Sequence, residues 1–324
     1  MKIYPLKLKP VTKQILWGGT YLCENFGIGE KGQSIAEAWV MTDRPDGCNT
    51  IDNGDYRGMT LDEYINQASK AVVIGKDTDF PLLIKLIDAN DRLSVQVHPD
   101  DEYAAANGLD AGKTEMWYIV DAKPGAKLVY GLKDKKVPSR DELESRSADG
   151  SLGEILNYAE VHKGDCFYIP AGMVHAIGSG IVIAEIQQNS NTTYRLYDYD
   201  RVGKDGKKRE LHIKQASEVI KTEFPEKFVT NRVEEDSDVC RVTTLCDCSF
   251  FGVEKYNLKT SSSVSFCREN MLNILCLSGK GYIKYLDEKF PLEKSSSYLI
   301  PASIEKFSVC ALDDELEFLV SYAK

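Results

Sequence analysis

The chain has 324 residues, 43% of them hydrophobic, with 50 acidic against 40 basic side chains and a formal net charge of −10. That length suits two domains with buried cores, and the acidic balance argues against nonspecific binding to nucleic acid or an anionic membrane, both of which need clustered Lys and Arg. No apolar run approaches the roughly 18 residues of a membrane span, and the opening "MKIYPLKLKPVTKQILWGG" puts charges and prolines where a secretory leader needs an apolar core, so a cytoplasmic location is expected.

Residues 1 to 50 read as short strands and turns, with Gly18-Gly19 and "DRPDG" as breaks. Thr60 and Glu63 in "TLDEYINQASKAV" form a capping box ahead of a period-3.6 pattern, which predicts a helix. Strand-like runs follow: "PLLIKLIDA", "RLSVQVH", "MWYIV" and "KLVYG". Ser151 and Glu154 in "SLGEILNYAE" repeat the capping-box spacing and predict a second helix. Strands are expected again at "DCFYIPA", "GIVIAEIQQ" and "TTYRLYDY", then a third helix at "LHIKQASEVI". "FPEKFVTNRVEEDSD" reads as a polar linker. From about residue 239 short strands alternate with Gly, Ser and Lys turns, the spacing of a β-sandwich or barrel.

"VHKGDCFYIPAGMVHAI" (Val161 to Ile177) lines up with "LEKSSSYLIPASIEKFSV" (Leu292 to Val309), so one β unit occurs twice. Counting from the shared Ile-Pro-Ala, His175 falls opposite Lys306. A histidine needed only for packing should have been replaced by another packing residue, and a cation stands there instead.

Leu93, Val95 and Val97 alternate with Ser94, Gln96 and His98, giving a strand with an apolar side and a side that carries an amide and an imidazole. A strand that only needed a wet face would use Thr, Lys or Glu. Glu115, in "GKTEMWYIV", heads the next strand, and His175 follows the turn after "YIPAG". Taken singly, each has an ordinary reading as a hydrogen-bonded or solvated residue. Together, Gln96, His98, Glu115 and His175 offer an amide oxygen, a carboxylate and two imidazoles, a set suited to a borderline divalent ion such as zinc. The nine scattered cysteines, with "CDC" at Cys246 to Cys248, make neither a zinc site nor a disulfide framework.

"QVHPDDEYA", "GKTEMWYIV", "YIPAGMVHAIG" and "EIQQNSNTTYRLYDYDR", with "LWGGTYL" and "FPLLIKLIDANDRLSVQVHPDD", resemble the type I mannose-6-phosphate isomerases, in particular their short bacterial branch. The resemblance covers roughly residues 15 to 215. It implies a mainly β protein of two cupin-like (jelly-roll) β-barrel domains with a few added α-helices, the catalytic one at residues 1–235 and a C-terminal one at 236–324 without metal ligands. It also implies one Zn2+ per chain among Gln96, His98, Glu115 and His175, with Arg195 in the active site. The activity implied is aldose-ketose isomerisation of mannose 6-phosphate and fructose 6-phosphate through an enediolate, in a monomer or homodimer.

Residue chemistry extends this list. Alternation puts Thr193, Arg195 and Tyr197 on one face, where the guanidinium could brace an enediolate or hold phosphate, and Lys113 is a second cation on the metal side. Glu185, on the otherwise apolar strand "VIAEIQQ", is the candidate acid-base group, with its pKa raised by burial, or else a partner for a ligand imidazole. The basic run "RVGKDGKKRE" reads as a solvated hairpin turn around Asp205-Gly206 and stands outside the site. Two competitors remain: another metal-dependent cupin enzyme, such as an iron oxygenase, which Gln96 and the Arg195 and Lys113 cations disfavour, and a non-catalytic sugar-phosphate-binding protein, for which no DNA-binding or partner module is evident.

Overall fold

The computed structural model describes residues 1–76, 78–203, 206–224 and 230–324. The chain is mainly β, arranged as two stacked pairs of antiparallel sheets. In the N-terminal pair a six-stranded sheet faces a five-stranded one. Leu82–Ala89 lies near the middle of the first, between Glu37–Met41 and Ile181–Gln188, and Glu115–Ala122 flanks the latter. Alternation sorts these strands by face: Ile84, Leu86, Met116, Tyr118, Ala184 and Ile186 join the large core shared with the C-terminal sheets. Ile87, Trp117, Ile119 and Ile183 turn the other way, meeting Leu128 of the five-stranded sheet in a second core. The far side of that sheet, with Val95, Val97, Val129 and Leu196, is covered by Leu143, Ala216 and Val219 of two helices, Arg140–Asp149 and Ile213–Val219.

The C-terminal pair is an eight-stranded sheet and a four-stranded sheet. The eight-stranded sheet takes in a strand from the opposite end of the chain: Leu6–Lys9 pairs antiparallel with Ser297–Ile300, Leu6 opposite Leu299, and carries Thr50–Ile51 on its other edge. The repeated unit is visible in three dimensions. Cys166–Ile169 and Ser297–Ile300 each run into a Pro-Ala turn, closed by Met173 N–H to Pro170 O (3.1 Å) and Ile304 N–H to Pro301 O (2.9 Å). His175 and Lys306 then open the next strands, the histidine fully buried and the lysine exposed.

The helix at Leu61–Ala68 has its capping box: Thr60 Oγ1 accepts from Glu63 N (3.2 Å) and Glu63 Oε2 accepts from Thr60 N (2.9 Å). The helix expected at "LHIKQASEVI" is Ile213–Val219. Two expectations are corrected. "SLGEILNYAE" is a short 3-10 turn, Ser151–Ile155, followed by the strand Leu156–Glu160, because its second half pairs with Lys127–Leu132 and that ladder outweighs a helical spacing. The linker is partly a strand, Arg232–Asp236, laddered on Cys240–Asp247, while residues 225–229 of it lie outside the described residues. No described helix is long and apolar enough to cross a membrane.

Candidate active site

The site lies between the six- and five-stranded sheets, and the strand registers assemble it. On the five-stranded sheet His175 pairs with Gln96, and Gln96 pairs on its other side with Arg195, giving a row of imidazole, amide and guanidinium. Across the gap, Glu185 is directly opposite Lys85 on one neighbour and Trp117 on the other. Glu115 enters from the start of its strand, and its approach depends on the turn before it. Lys113 N–H bonds Pro99 O (2.9 Å) and Gly112 N–H bonds Asp101 Oδ1 (2.8 Å), seating "GKTE" on the cap of the helix Asp101–Ala106. A Cβ on Gly112 would stand 2.4 Å from Asp101 N, so the close approach requires glycine.

His98, Glu115 and His175 converge with ligand atoms all within 4.8 Å of one another, and all three are at most 1% exposed. His98 Nε2 is 3.5 Å from Glu115 Oε2, and His175 Nε2 is 3.4 Å from Glu115 Oε1. Both imidazoles face backbone carbonyls through Nδ1: His98 toward Thr192 O (2.9 Å) and His175 toward Met173 O (2.8 Å). A carbonyl only accepts, so each Nδ1 carries the proton and each Nε2 offers a lone pair to the centre. Burial, reinforced by Lys113, pulls both imidazoles well below their ordinary value, His175 to about 4, so they are neutral at neutral pH. His98 Nε2 and Glu115 Oε1 are buried without a hydrogen-bond partner, and Glu115 Oε2 has Lys113 Nζ beside it at 3.0 Å. Orphaned acceptors of this kind, aimed at one point, fit a divalent cation. The amide of Gln96 adjoins the cluster, its Nε2 3.3 Å from His175 Nε2, and a half-turn of the amide exchanges that nitrogen for the oxygen a cation needs. Without a cation, burial pushes Glu115 up to about 7 despite Lys113 Nζ at 3.0 Å.

The cavity above the triad, about 330 Å³, is walled by Gln96, Lys113, Arg195, Lys85 and Glu185. Thr193 shares this wall but Tyr197 does not, since a register shift between Arg195 and Tyr197 turns the latter into the third core. Arg195 donates from Nε to Ser94 Oγ (3.3 Å) and from Nη1 to Glu210 O (2.9 Å), while Asp198 and Asp200 are taken by other cations, Arg201 with Arg209 and Lys208. A separate surface groove of about 1100 Å³, lined by Gln188 and Asn189, shares no residue with this cavity.

Glu185 is buried as expected, but its pKa shift is corrected in sign. Burial alone would raise it. Lys85 Nζ at 3.2 Å, then Lys113 and the Trp117 Nε1–H bond to Oε1 (3.1 Å), outweigh burial and hold the carboxylate ionised, well below its usual range. Lys85 had not been singled out, although a lysine inside "PLLIKLIDA" was a signal: it is 4% exposed and held above the ordinary lysine value, against its burial, by Glu37 (3.7 Å) and Glu185. Glu37 is itself fixed by Trp39 Nε1–H (2.7 Å). The basic run also needs correction. Gly203 N–H to Lys207 O (2.7 Å) makes the turn, with Lys204 and Asp205 outside the described residues, yet its far end returns Arg209 to the cavity wall.

Two family descriptions match the chain: "Phosphomannose isomerase type I, catalytic domain" over residues 5–129 and "Mannose-6-phosphate isomerase, cupin domain" over residues 241–323. Mannose-6-phosphate isomerase ManA of Bacillus subtilis is 39% identical across 99% of this chain and 100% of its own length. The Streptococcus mutans mannose-6-phosphate isomerase is 36% identical across 98% of each chain. The crystal structure of the Bacillus subtilis mannose 6-phosphate isomerase superposes with a TM-score of 0.84 at 33% identity, covering 98% of this chain and 99% of that one.

Proposed function

The chain belongs to the type I mannose-6-phosphate isomerases, and from that premise we propose that it is a zinc-dependent enzyme interconverting mannose 6-phosphate and fructose 6-phosphate through an enediolate. The observation that carries the reading is the pair of neutral imidazoles whose Nε2 lone pairs share one centre with the buried Glu115 carboxylate, beside a fixed lysine-carboxylate pair. His98, Glu115, His175 and Gln96 would hold one Zn2+, the ion their mixed nitrogen and oxygen donors suit. Bound there, the ion supplies positive charge against the negative charge that develops on the substrate oxygens.

The chain's own side chains account for the rest. Isomerisation removes the proton on C2 of the aldose and returns one to C1, with a hydroxyl proton passing from O2 to O1. Glu185, kept ionised by Lys85, takes the carbon proton and returns to its carboxylate form on delivering a proton to C1. Arg195 lies in the row beside Gln96 with donors to spare and braces the delocalised oxyanion; Lys113, 3.0 Å from Glu115, adds a second cation at the same edge. We assign this chemistry to residues 1–235 and read residues 236–324 as a cupin-like domain without metal ligands, in a cytoplasmic protein. The fully buried His175 against the exposed Lys306 supports that asymmetry.

Incubating the zinc-loaded protein with fructose 6-phosphate in deuterated water and following hexose phosphates by NMR tests the proposal. Deuterium at C2 of mannose 6-phosphate is expected, because a protein base exchanges its proton with solvent. Unlabelled product would indicate a direct hydride shift. Glucose 6-phosphate in place of mannose 6-phosphate would overturn the substrate, and binding without turnover of any hexose phosphate would leave the sugar-phosphate-binding reading.

A further inference from the structure

The run "QQNSNTT" (Gln187 to Thr193) leaves the strand Ile181–Gln188 with the composition of a solvated turn, yet Gln187 and Ser190 are 0% exposed. Buried polar side chains in a connecting loop cost free energy unless they are bonded, so where their bonds go says what the loop holds. Ser190 Oγ donates to Ala111 O (2.9 Å) and accepts from Thr192 N (3.4 Å). Gln188 brackets Thr114: its Oε1 accepts from Thr114 N (2.8 Å) and its backbone N donates to Thr114 O (3.1 Å). Gln187 Nε2 donates to Gln188 O (2.8 Å) and Ser190 O (2.6 Å), closing the loop on the strand it leaves.

The loop's outward bonds land on the segments that deliver the metal ligands. Ala111 and Thr114 belong to the turn from which Glu115 enters, and Thr192 O is the carbonyl that faces His98 Nδ1. Thr114 Oγ1 in turn accepts from Ala171 N (3.3 Å), in the turn ahead of His175, and Gly172 N there donates to His98 O (2.8 Å). Three ligand-bearing segments, distant in sequence, are thus tied together away from the ligand atoms themselves. Ser190 bonds two of them at once, the Glu115 arm through its hydroxyl proton and the His98 arm through a lone pair, so alanine in its place releases both ties and removes no ligand.

We propose that Ser190 is a positioning residue for the metal centre: its hydroxyl clasps the Thr192 segment to the Glu115 arm, so that the His98 lone pair and the Glu115 carboxylate are aimed at one point before an ion arrives. The proposal rests on the metal-dependent reading above. Without the clasp Thr192 O is free to swing away from His98, the ring exchanges tautomers, and part of the population presents an N–H where the ion needs a lone pair. A loop ordered once, on folding, leaves less to order on binding. Ser190 is fully buried and does not line the cavity, so it acts through His98 and Glu115 and never touches the sugar.

Zinc affinity by competition with a chelator, the visible absorption of the cobalt(II)-substituted protein, and the urea midpoint of the metal-free protein are measured for the wild type, Ser190→Ala, Gln188→Ala and Ile283→Val. Ser190→Ala is expected to weaken zinc binding about 10–100-fold and to alter the cobalt bands. Gln188→Ala, which frees Thr114 but leaves Thr192 held, loses affinity by a smaller factor. Ile283→Val trims the buried core of the C-terminal four-stranded sheet; it lowers the urea midpoint and leaves both metal readings at wild type. Zinc affinity within about twofold of wild type in Ser190→Ala, with an unchanged cobalt spectrum, overturns the assignment. So does an equal loss in Ile283→Val, which would make metal retention a matter of overall stability. Should Ser190→Ala fail to fold, Gln188→Ala decides by the same readings. A wild type that binds no divalent ion counts against the metal-dependent reading, and nitrogen-15 NMR of His98 in metal-free protein then judges Ser190 by itself. The wild type should show the Nδ1–H tautomer and the variant a mixture, and the same tautomer in both would refute the clasp.

Discussion

Replacing Lys85 by methionine exposes what holds the buried carboxylates in the cavity. Lys85 lies 3.2 Å from Glu185 and 3.7 Å from Glu37, with both Lys85 and Glu185 only 4% exposed. Methionine fills similar volume without charge, so Glu185 stays buried and loses its main counter-charge. Removing one partner of a buried ion pair costs about 3–5 kcal/mol, a hundredfold or more in the folding equilibrium. In the wild type the folded pKa of Glu185 is depressed, so its contribution is fully present above the unfolded value and is lost only as pH falls toward about 2. In Lys85→Met burial acts with far less opposition, the folded pKa rises above the unfolded one, and the sign reverses. The variant is then penalised most at high pH and relieved as the carboxyl protonates. Urea unfolding of metal-stripped wild type and variant at pH 8 and pH 5 should give a stability difference of about 3–5 kcal/mol at the higher pH and clearly less at the lower. A difference under about 1 kcal/mol at pH 8, or one equal at both, would refute the argument that Lys85 keeps Glu185 ionised.

Other outcomes follow from the same geometry. His98→Ala and His175→Ala should lose bound metal while keeping near-native far-UV circular dichroism, and Gln96→Ala should lose less, since water can replace an amide oxygen; elemental analysis beside the spectra reads this, and joint loss of metal and fold would mean a structural ion. Metal affinity should fall about tenfold per unit as pH drops below about 7, where the metal-free Glu115 takes up a proton that the ion must displace, as competition with a chelator would measure. Arg195→Lys should lower kcat about tenfold or more while leaving KM within a few-fold, because lysine keeps charge and loses the planar fork; a change confined to KM would make Arg195 a binding group alone.

Much of the site was legible because its residues break the rules of their surroundings. An amide and an imidazole on one face of an apolar strand, and a histidine answered by a lysine in the repeat, need an explanation from outside packing. Lys85 broke the same rule and was passed over, because a single cation in a strand of Leu and Ile signals only once its partners are known, and Glu37 and Glu185 are distant in sequence. Arg209 was hidden by composition: it follows the exposed Lys207 and Lys208 in a basic turn, and the pairing with Asp198 that holds it at the cavity wall shows only in three dimensions. The helix Arg140–Asp149 carried no apolar period, since only Leu143 and Ser147 are buried, and its strongest local signal is the Ser139 cap, which accepts from Glu142 N at 3.2 Å. "SLGEILNYAE" erred the other way, its cap spacing intact but its backbone claimed by a neighbouring strand.

The pairing of Leu6 with Leu299 sets a timetable for biosynthesis. At roughly 5–20 residues per second, the partner strand leaves the ribosome some 15 to 60 s after Leu6–Lys9 does, so the first strand made must wait for nearly the last. Closing that loop costs about 3 kcal/mol more entropy than closing a ten-residue hairpin, which the eight-stranded sheet recovers only once its other strands are laid down. During the wait the segment is an unpaired edge open to any passing chain. Its alternate residues, Lys7 and Lys9, are the charges that make such an edge a poor template for aggregation, so the nascent chain carries its own protection in the sequence "LKLK".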